Sequence, residues 1–113
     1  MERIEPMVIK FSDDEKYTLQ FNRETASALE MDGFKREDVG DMPMTRIPQI
    51  FHFAFKMHHP NISREKTDEI LFNDLGGLTD EQIEKLGELF MAPYTTLINE
   101  GGKPKNSKVT VSL

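Results

Sequence analysis

The sequence predicts an α+β domain in which an N-terminal β-hairpin packs on a bundle of about four α-helices. Apolar residues alternate over 7–11 and 17–21, as they do in strands, and from residue 22 onward they recur at helical spacing. A chain of 113 residues is long enough for one hydrophobic core and short for two. We therefore expect a single domain over 1–102, followed by a polar tail over 103–113.

The hairpin is predicted over 7–21, with the polar segment 12–16 as its turn. A two-stranded hairpin is only marginally stable alone, so helices must cover its apolar face. We expect Phe51 and Phe55 to lie at the centre of that contact. One face of the two strands collects six apolar side chains: Met7, Ile9, Phe11, Tyr17, Leu19 and Phe21.

A first helix is predicted over 22–33. Asn22 is a favourable N-cap residue, and Gly33 is a favourable residue for ending a helix. The next segment, 35–43, is charged and has no helical or strand periodicity. We therefore predict a loop there.

A second helix is predicted over 45–59. If Thr45 opens it, Pro48 falls within the first turn, where a missing N–H removes no intrahelical hydrogen bond. Apolar residues occupy nearly every side of this helix. Such a pattern is typical of the buried centre of a domain.

Two further helices are predicted over 63–74 and 79–100. The fourth has the clearest start, because Thr79 and Gln82 match a capping box. Its apolar stripe keeps helical spacing almost to its end, although Pro93 interrupts the backbone hydrogen bonds. We expect that proline to kink the helix or divide it in two.

The tail over 103–113 has two features of its own. It holds the only basic cluster, which we interpret as a solvated end because short charge runs are usually solvating. Its apolar residues alternate, so the tail either adds a strand to the hairpin or frays. The residues concerned are Lys103, Lys105 and Lys108, followed by Val109, Val111 and Leu113.

Composition excludes several functional classes. A formal charge of -6 argues against nucleic-acid binding, which depends on clustered Lys and Arg. No apolar run approaches the roughly 20 residues that a membrane helix needs, and the N-terminus does not match a signal peptide. The chain has no cysteine, which favours a reducing compartment such as the cytoplasm.

Three histidines invite a metal-site interpretation that their spacing opposes. On a helix, His52 and His59 share a face but lie roughly 10 Å apart along the axis, too far to bind one ion. His58 points in another direction. We expect no metal site, and we interpret His58 and His59 as a pair stabilised by the helix dipole.

No catalytic arrangement emerges from the acidic residues either. The acidic run over 13–15 lacks the glycine and distal glutamate of a calcium loop. Three glutamates share a face of the fourth helix, but no partner residue converges on them for acid–base chemistry. We predict that the chain is not an enzyme and has no cofactor. The three glutamates are Glu81, Glu84 and Glu88.

The remaining unusual feature is a surplus of aromatic and sulfur-containing apolar side chains. The chain has eight Phe and seven Met, and methionine is over-used on adaptable binding surfaces. A kink at Pro93 would interrupt packing and leave a groove beside it. We predict that a protein partner binds in this groove, which is lined by Phe90, Met91, Tyr94 and Leu97.

Three stretches of the sequence resemble the small tail assembly chaperones of long-tailed, siphovirus-type phages of Gram-positive bacteria. The order of the elements carries this resemblance, which covers residues 8–100. The stretches are YTLQFNRETASALEMDGF, MPMTRIPQIFHFAFKMHHPNISREKTDEIL and LTDEQIEKLGELFMAPYTTLI.

The resemblance implies a factor that binds the tape measure protein and keeps it soluble during tail assembly. It also implies that the chain acts in the host cell cytoplasm and is absent from the mature virion, and it leaves self-association open. The alternative is a structural tail or connector component of the virion, which would be found in finished particles.

Overall fold

The computed structural model describes residues 4–113 and has the predicted α+β architecture. A two-stranded antiparallel hairpin precedes four helices, so the predicted fold class is confirmed. Residues 1–3 of the predicted domain lie outside the described part. The elements are β1 (Met7–Lys10), β2 (Lys16–Leu19), α1 (Arg23–Met31), α2 (Pro43–Phe55), α3 (Arg64–Glu69) and α4 (Asp80–Met91).

The hairpin has the register that the alternation predicts. Met7 pairs with Leu19 and Ile9 pairs with Tyr17, which places their side chains on one face. Asp14 at the turn has a φ of 71°, a left-handed conformation that Asp tolerates better than most residues. Leu19 is fully buried, so this face is directed into the protein.

Strand β2 is attached to the C-terminal end of α2 by two hydrogen bonds that its end donates from backbone N–H groups. The Gln20 N–H donates to the Ala54 carbonyl at 2.9 Å, and the Thr18 N–H donates to Nε2 of His59 at 3.1 Å. The last carbonyls of a helix have no intrahelical partner, so the strand supplies one of the missing donors. The hairpin is thereby fixed to the helix that forms the centre of the core.

Helix α2 begins and ends earlier than predicted. It opens at Pro43, because proline is favoured in the first turn, and not at Thr45. Pro48 therefore lies in the second turn, where it leaves the carbonyl of Met44 without its usual N–H partner. The helix ends at Phe55 and not at residue 59.

The core forms around α2, as its apolar pattern predicts. Phe51 and Phe55 are fully buried and their rings pack edge to face with centroids 5.0 Å apart. Phe55 in turn contacts Tyr17 of the hairpin at 5.5 Å, which confirms the predicted contact between the hairpin and this helix. The largest fully buried side chains are Phe51, Phe55, Leu19, Leu29, Ile70, Leu86, Leu89 and Thr67.

The predicted loop between α1 and α2 contains a short 3₁₀ turn and is held against α2 by a polar network. The buried amide of Gln49 donates to the carbonyl of Asp32 at 2.9 Å and accepts from Arg46 at 2.9 Å. Arg46 also pairs with Asp38 of the loop at 3.3 Å. Because partnered polar groups inside a core allow few alternative arrangements, this network fixes the loop next to α2.

The last two helices also depart from regular α-helical geometry. Helix α3 continues into a π-helical turn over Ile70–Asp74, which Gly76 and Gly77 end with positive φ values. The capping box of Thr79 and Gln82 starts α4 as predicted. The chain continues from α4 as a 3₁₀-helix over Ala92–Thr96, so the predicted fourth helix is divided at Pro93 and ends before residue 100.

The tail adds no strand to the hairpin, contrary to the first of the two predicted alternatives. The sheet has only β1 and β2 within residues 4–113. Val111 and Leu113 are exposed and pack on no core residue. Within the same described range, no helix is long and apolar enough to cross a membrane.

The position of Phe51 gives a stability prediction. We expect Phe51→Ala to lower the free energy of unfolding by about 3 to 5 kcal/mol, because the change leaves a cavity among fully buried side chains. Urea denaturation of the purified variant measures the change. The matched control is Phe72→Ala, at a residue 51% exposed, with an expected loss below about 1 kcal/mol. A Phe51→Ala variant as stable as the parent would contradict this description of the core.

Candidate protein-binding surfaces

Two of the four predicted binding residues, Tyr94 and Leu97, line a shallow groove between α1 and the C-terminal 3₁₀-helix. We call it the Tyr94 groove, and its volume is about 240 Å³. Arg23 of α1 bonds to Thr96 across it, with Nε to Oγ1 at 2.8 Å. The groove is lined by Arg23, Ala26, Ser27, Glu30, Pro93, Tyr94 and Leu97.

The Tyr94 side chain is held in one orientation. Its hydroxyl donates a hydrogen bond to the carboxylate of Glu30, and its ring packs edge to face on Phe90 at 5.6 Å. Burial and the neighbouring Glu30 raise the pKa of Tyr94 to about 12. The tyrosine is therefore neutral at physiological pH and presents a fixed aromatic surface to the groove.

Phe90 lies beneath the groove and does not line it, which corrects the sequence interpretation. It is 3% exposed and its ring contacts Phe21 at 5.5 Å and Phe34 at 5.2 Å. Phe90 is one position after Leu89 on the face of α4 that packs against the core. Its role is to support Tyr94 from below, so a partner in the groove would not contact it.

Met91 shares a wide depression with Tyr94, and it also lines a second groove, along α4, that the sequence analysis did not predict. We call this the Gly87 groove, and its volume is about 430 Å³. Apolar side chains form its floor, and charged residues from α4 and from the loop before α2 form its rims. It is lined by Phe34, Arg36, Val39, Ile50, Ile83, Glu84, Gly87, Glu88 and Met91.

The end of the 3₁₀-helix exposes apolar side chains next to the Tyr94 groove. Leu97 is 67% exposed and Ile98 is 69% exposed. Ile98 also lines a wide depression with Met91 and Tyr94. The sequence places Ile98 at the end of the apolar stripe of the predicted fourth helix. Its exposure, however, depends on where the 3₁₀-helix ends.

A third apolar surface lies between the start of α2 and the segment that joins α3 to α4. Met44 is 80% exposed and Phe72 is 51% exposed, and both line a small crevice with Ile47 and Leu78. We call this surface the Met44–Phe72 patch. A signal for Phe72 existed in the sequence, because it follows Leu71 and helical spacing turns it about 100° away from the buried face.

The three histidines have separate hydrogen-bond partners. His52 bonds through Nδ1 to the buried hydroxyl of Thr67 at 3.0 Å, and His58 bonds to Gln20 at 2.8 Å. His59 accepts the Thr18 N–H described above. Among residues 4–113, no group of three or more His, Asp or Glu side chains is placed to bind a metal ion.

Burial favours the neutral form of two histidines. It lowers the pKa of His52, assisted by the charges of Lys56 and Arg64. Burial and the neighbouring His58 lower the pKa of His59. A dipole-stabilised cation would have a raised pKa, so that interpretation of His59 is wrong. The ring accepts a hydrogen bond from the strand, which requires an unprotonated Nε2.

A family assignment follows from comparison with known proteins. Residues 5–113 match the model of a domain of unknown function, DUF5055. The chain belongs to the DUF5055 family. No curated protein matches this DUF5055 chain. No solved structure matches it either.

The neutral histidines of this DUF5055 chain predict a pH dependence of stability. Because the folded-state pKa values of His52 and His59 lie below 6.5, the unfolded state binds more protons near that pH. The free energy of unfolding should be at its full value above about pH 6.5 and should fall as the pH is lowered below it. Urea denaturation at pH 7.5, 6.5 and 5.5 measures this.

Variants assign that dependence to individual residues. His59→Gln keeps an acceptor for the Thr18 N–H and removes the ionisable ring, so the slope between about pH 6.5 and 5.5 should decrease. The same replacement at His58, which is exposed, removes a neighbour that lowers the pKa of His59, so it should decrease the slope less than His59→Gln does. An unchanged slope in His59→Gln would contradict the contribution of His59.

Gly87 gives a second stability prediction. It lies inside α4 with negative φ, and a Cβ atom built on it meets no heavy atom within 4 Å. Gly87→Ala should raise the free energy of unfolding by about 0.5 to 1 kcal/mol, because glycine costs backbone entropy in a helix. Gly77→Ala is the contrasting control and should destabilise, because Gly77 has a φ of 99°. A less stable Gly87→Ala variant would contradict the prediction.

Proposed function

We propose that this chain is a phage tail assembly chaperone that binds the tape measure protein and keeps it soluble until the tail tube encloses it. The observation that supports the proposal most directly is the exposure of Leu97 and Ile98, 67% and 69%, beside the fixed ring of Tyr94. Large apolar side chains grouped on a surface are typical of protein-binding sites. The resemblance of three sequence stretches to tail assembly chaperones supplies the identity of the client.

A shallow groove suits a long client with many similar binding segments. A tape measure protein exposes amphipathic helical stretches, whose apolar faces would otherwise associate with one another. A helix lying in the Tyr94 groove would cover such a face, with Tyr94 as a rigid contact and Leu97 as an adaptable one. The groove is small, so each copy binds weakly and many copies decorate one client molecule.

The acidic surface contributes to the same function. The chain has a formal charge of -6, and α4 carries exposed carboxylates such as Glu81 and Glu84. A client decorated by many acidic copies is kept apart from other clients by like-charge repulsion. In this proposal the chain catalyses no reaction, acts in the host cell cytoplasm and leaves before the virion is complete.

Co-expression with the tape measure protein tests the proposal. The parent chain should increase the soluble fraction of the client, whereas Leu97→Asp combined with Ile98→Asp should abolish the increase. Both residues are mostly exposed, so circular dichroism and the melting temperature should match the parent. The measurement is the client recovered in the soluble fraction.

A matched control distinguishes the loss of the binding site from the effect of two added negative charges. Met44→Asp combined with Phe72→Asp adds the same two charges on the Met44–Phe72 patch and should still rescue the client. If the control fails and the Leu97, Ile98 variant succeeds, the client binds the Met44–Phe72 patch instead. Equal client solubility with and without the parent chain would contradict the chaperone proposal. Recovery of the chain in purified virions would favour a structural tail component.

A further inference from the structure

Helix α4 departs from helical preferences twice on the face that borders the Gly87 groove. A glycine occupies position 87, inside the helix, where it costs stability relative to alanine. Glu84 and Glu88 are four residues apart, and like charges at that spacing destabilise a helix. Departures from local preference without a local gain are expected where a surface serves a function.

The interior of the protein accounts for neither feature. A side chain at position 87 would enter open space, since no heavy atom lies within 4 Å of the Cβ position. Among the described residues, Glu84 and Glu88 take part in no ion pair within 4.0 Å. Lys85 lines the cleft towards β1 together with Glu84 and Glu88, and Arg36 lines the Gly87 groove with them, but neither cation lies within 4.0 Å of these carboxylates. Among the described residues, the two carboxylates of this rim therefore form no direct ion pair.

The groove itself has the dimensions of a helix-binding site. Ile83, Gly87 and Met91 are spaced four residues apart on one side of α4, so they extend over roughly 12 Å, a little more than two helical turns. Phe34 and Ile50 complete an apolar floor of which Phe34 is 5% and Ile50 is 4% exposed. Glycine at the centre lets another backbone approach closely.

The residues bordering the groove favour a helical occupant over an extended one. Both of its long sides are formed by α2, α4 and the loop before α2, which present side chains and no free strand edge. An extended segment would find no backbone partners there, whereas a helix satisfies its own backbone hydrogen bonds.

We propose that the Gly87 groove binds an amphipathic α-helix of another protein, with its apolar face on Ile83, Gly87 and Met91 and with Lys or Arg residues opposite Glu84 and Glu88. Complementary charge gives such a helix its orientation and its rate of association. A second copy of this chain is a poor occupant, because its only basic cluster lies in the non-helical tail. The inference concerns a different surface from the Tyr94 groove and does not depend on the chaperone proposal.

A designed peptide tests the inference with the full chain. The probe is an 18-residue amphipathic helix with leucines on one face, lysines on both flanks and one tryptophan. The chain contains no tryptophan, so peptide fluorescence reports binding without background. The parent should bind the lysine peptide, and the affinity should fall as salt is raised because the ion pairs are screened. A peptide with glutamate in place of lysine should bind at least tenfold more weakly.

Three variants locate the site. Gly87→Leu fills the groove and should weaken binding at least tenfold while melting at or above the parent temperature. Glu84→Gln with Glu88→Gln should also weaken it. The matched control, Glu65→Gln with Glu69→Gln, removes the same charge from another pair of exposed glutamates four residues apart, on α3, and should bind as the parent does. Leu97→Asp, which alters only the Tyr94 groove, should also bind as the parent does.

Three results would overturn the inference. Unchanged affinity of a folded Gly87→Leu variant would exclude the groove. If the two pairs of Glu→Gln changes weakened peptide binding equally, the affinity would depend on the net charge of the chain and not on the groove. A parent chain that is dimeric in sedimentation velocity, with Gly87→Leu monomeric, would show that a second copy fills the groove. None of these results bears on tape measure solubility, so the two proposals fail separately.

Discussion

The attachment of the hairpin to the C-terminal end of α2 is the contact on which the rest of the structure depends. Two hydrogen bonds from backbone N–H groups flank Leu19, one from Gln20 to the Ala54 carbonyl and one from Thr18 to the His59 side chain. They place Leu19, which is fully buried, among the phenylalanines of α2. Neither partner is self-sufficient, since a lone hairpin is marginal in water and a helix apolar on nearly every side needs cover. The hairpin therefore provides a donor for one helix carbonyl and apolar cover in the same place.

Phe90 connects that core to the surfaces that we propose to bind partners. Its ring contacts Phe21 at the end of the hairpin, Phe34 after α1 and Tyr94 in the 3₁₀-helix. The Tyr94 groove is lined by α1 and the 3₁₀-helix, and the Gly87 groove by α4, α2 and the loop before α2. This buried ring contacts Tyr94 of the first groove and Phe34 of the second. Because both grooves rest on the same rigid, close-packed core, they can differ in charge and shape although neither has a core of its own.

The two grooves are suited to different contacts. The Tyr94 groove has a fixed aromatic ring and flanking apolar side chains at the end of the chain's last helical segment, which suits a client of variable sequence. The Gly87 groove has a glycine at its centre and two unpaired carboxylates, which suits a partner defined by charge and by close backbone approach. In these two proposals, one small domain binds a client and a second protein at different surfaces.

The sequence by itself determined the elements and the core. Strand alternation, the caps at Asn22 and Thr79 and the apolar surround of α2 are local patterns, and each was visible without any tertiary contact. Only the tertiary structure decided which apolar residues stay exposed. Phe90 and Tyr94 lie one turn apart on the same stripe, yet Phe90 is buried because Phe21 and Phe34 converge on it from distant segments. The Gly87 groove likewise depends on how far the loop before α2 stands from α4, and that distance follows from packing between segments, which local spacing in the sequence does not encode.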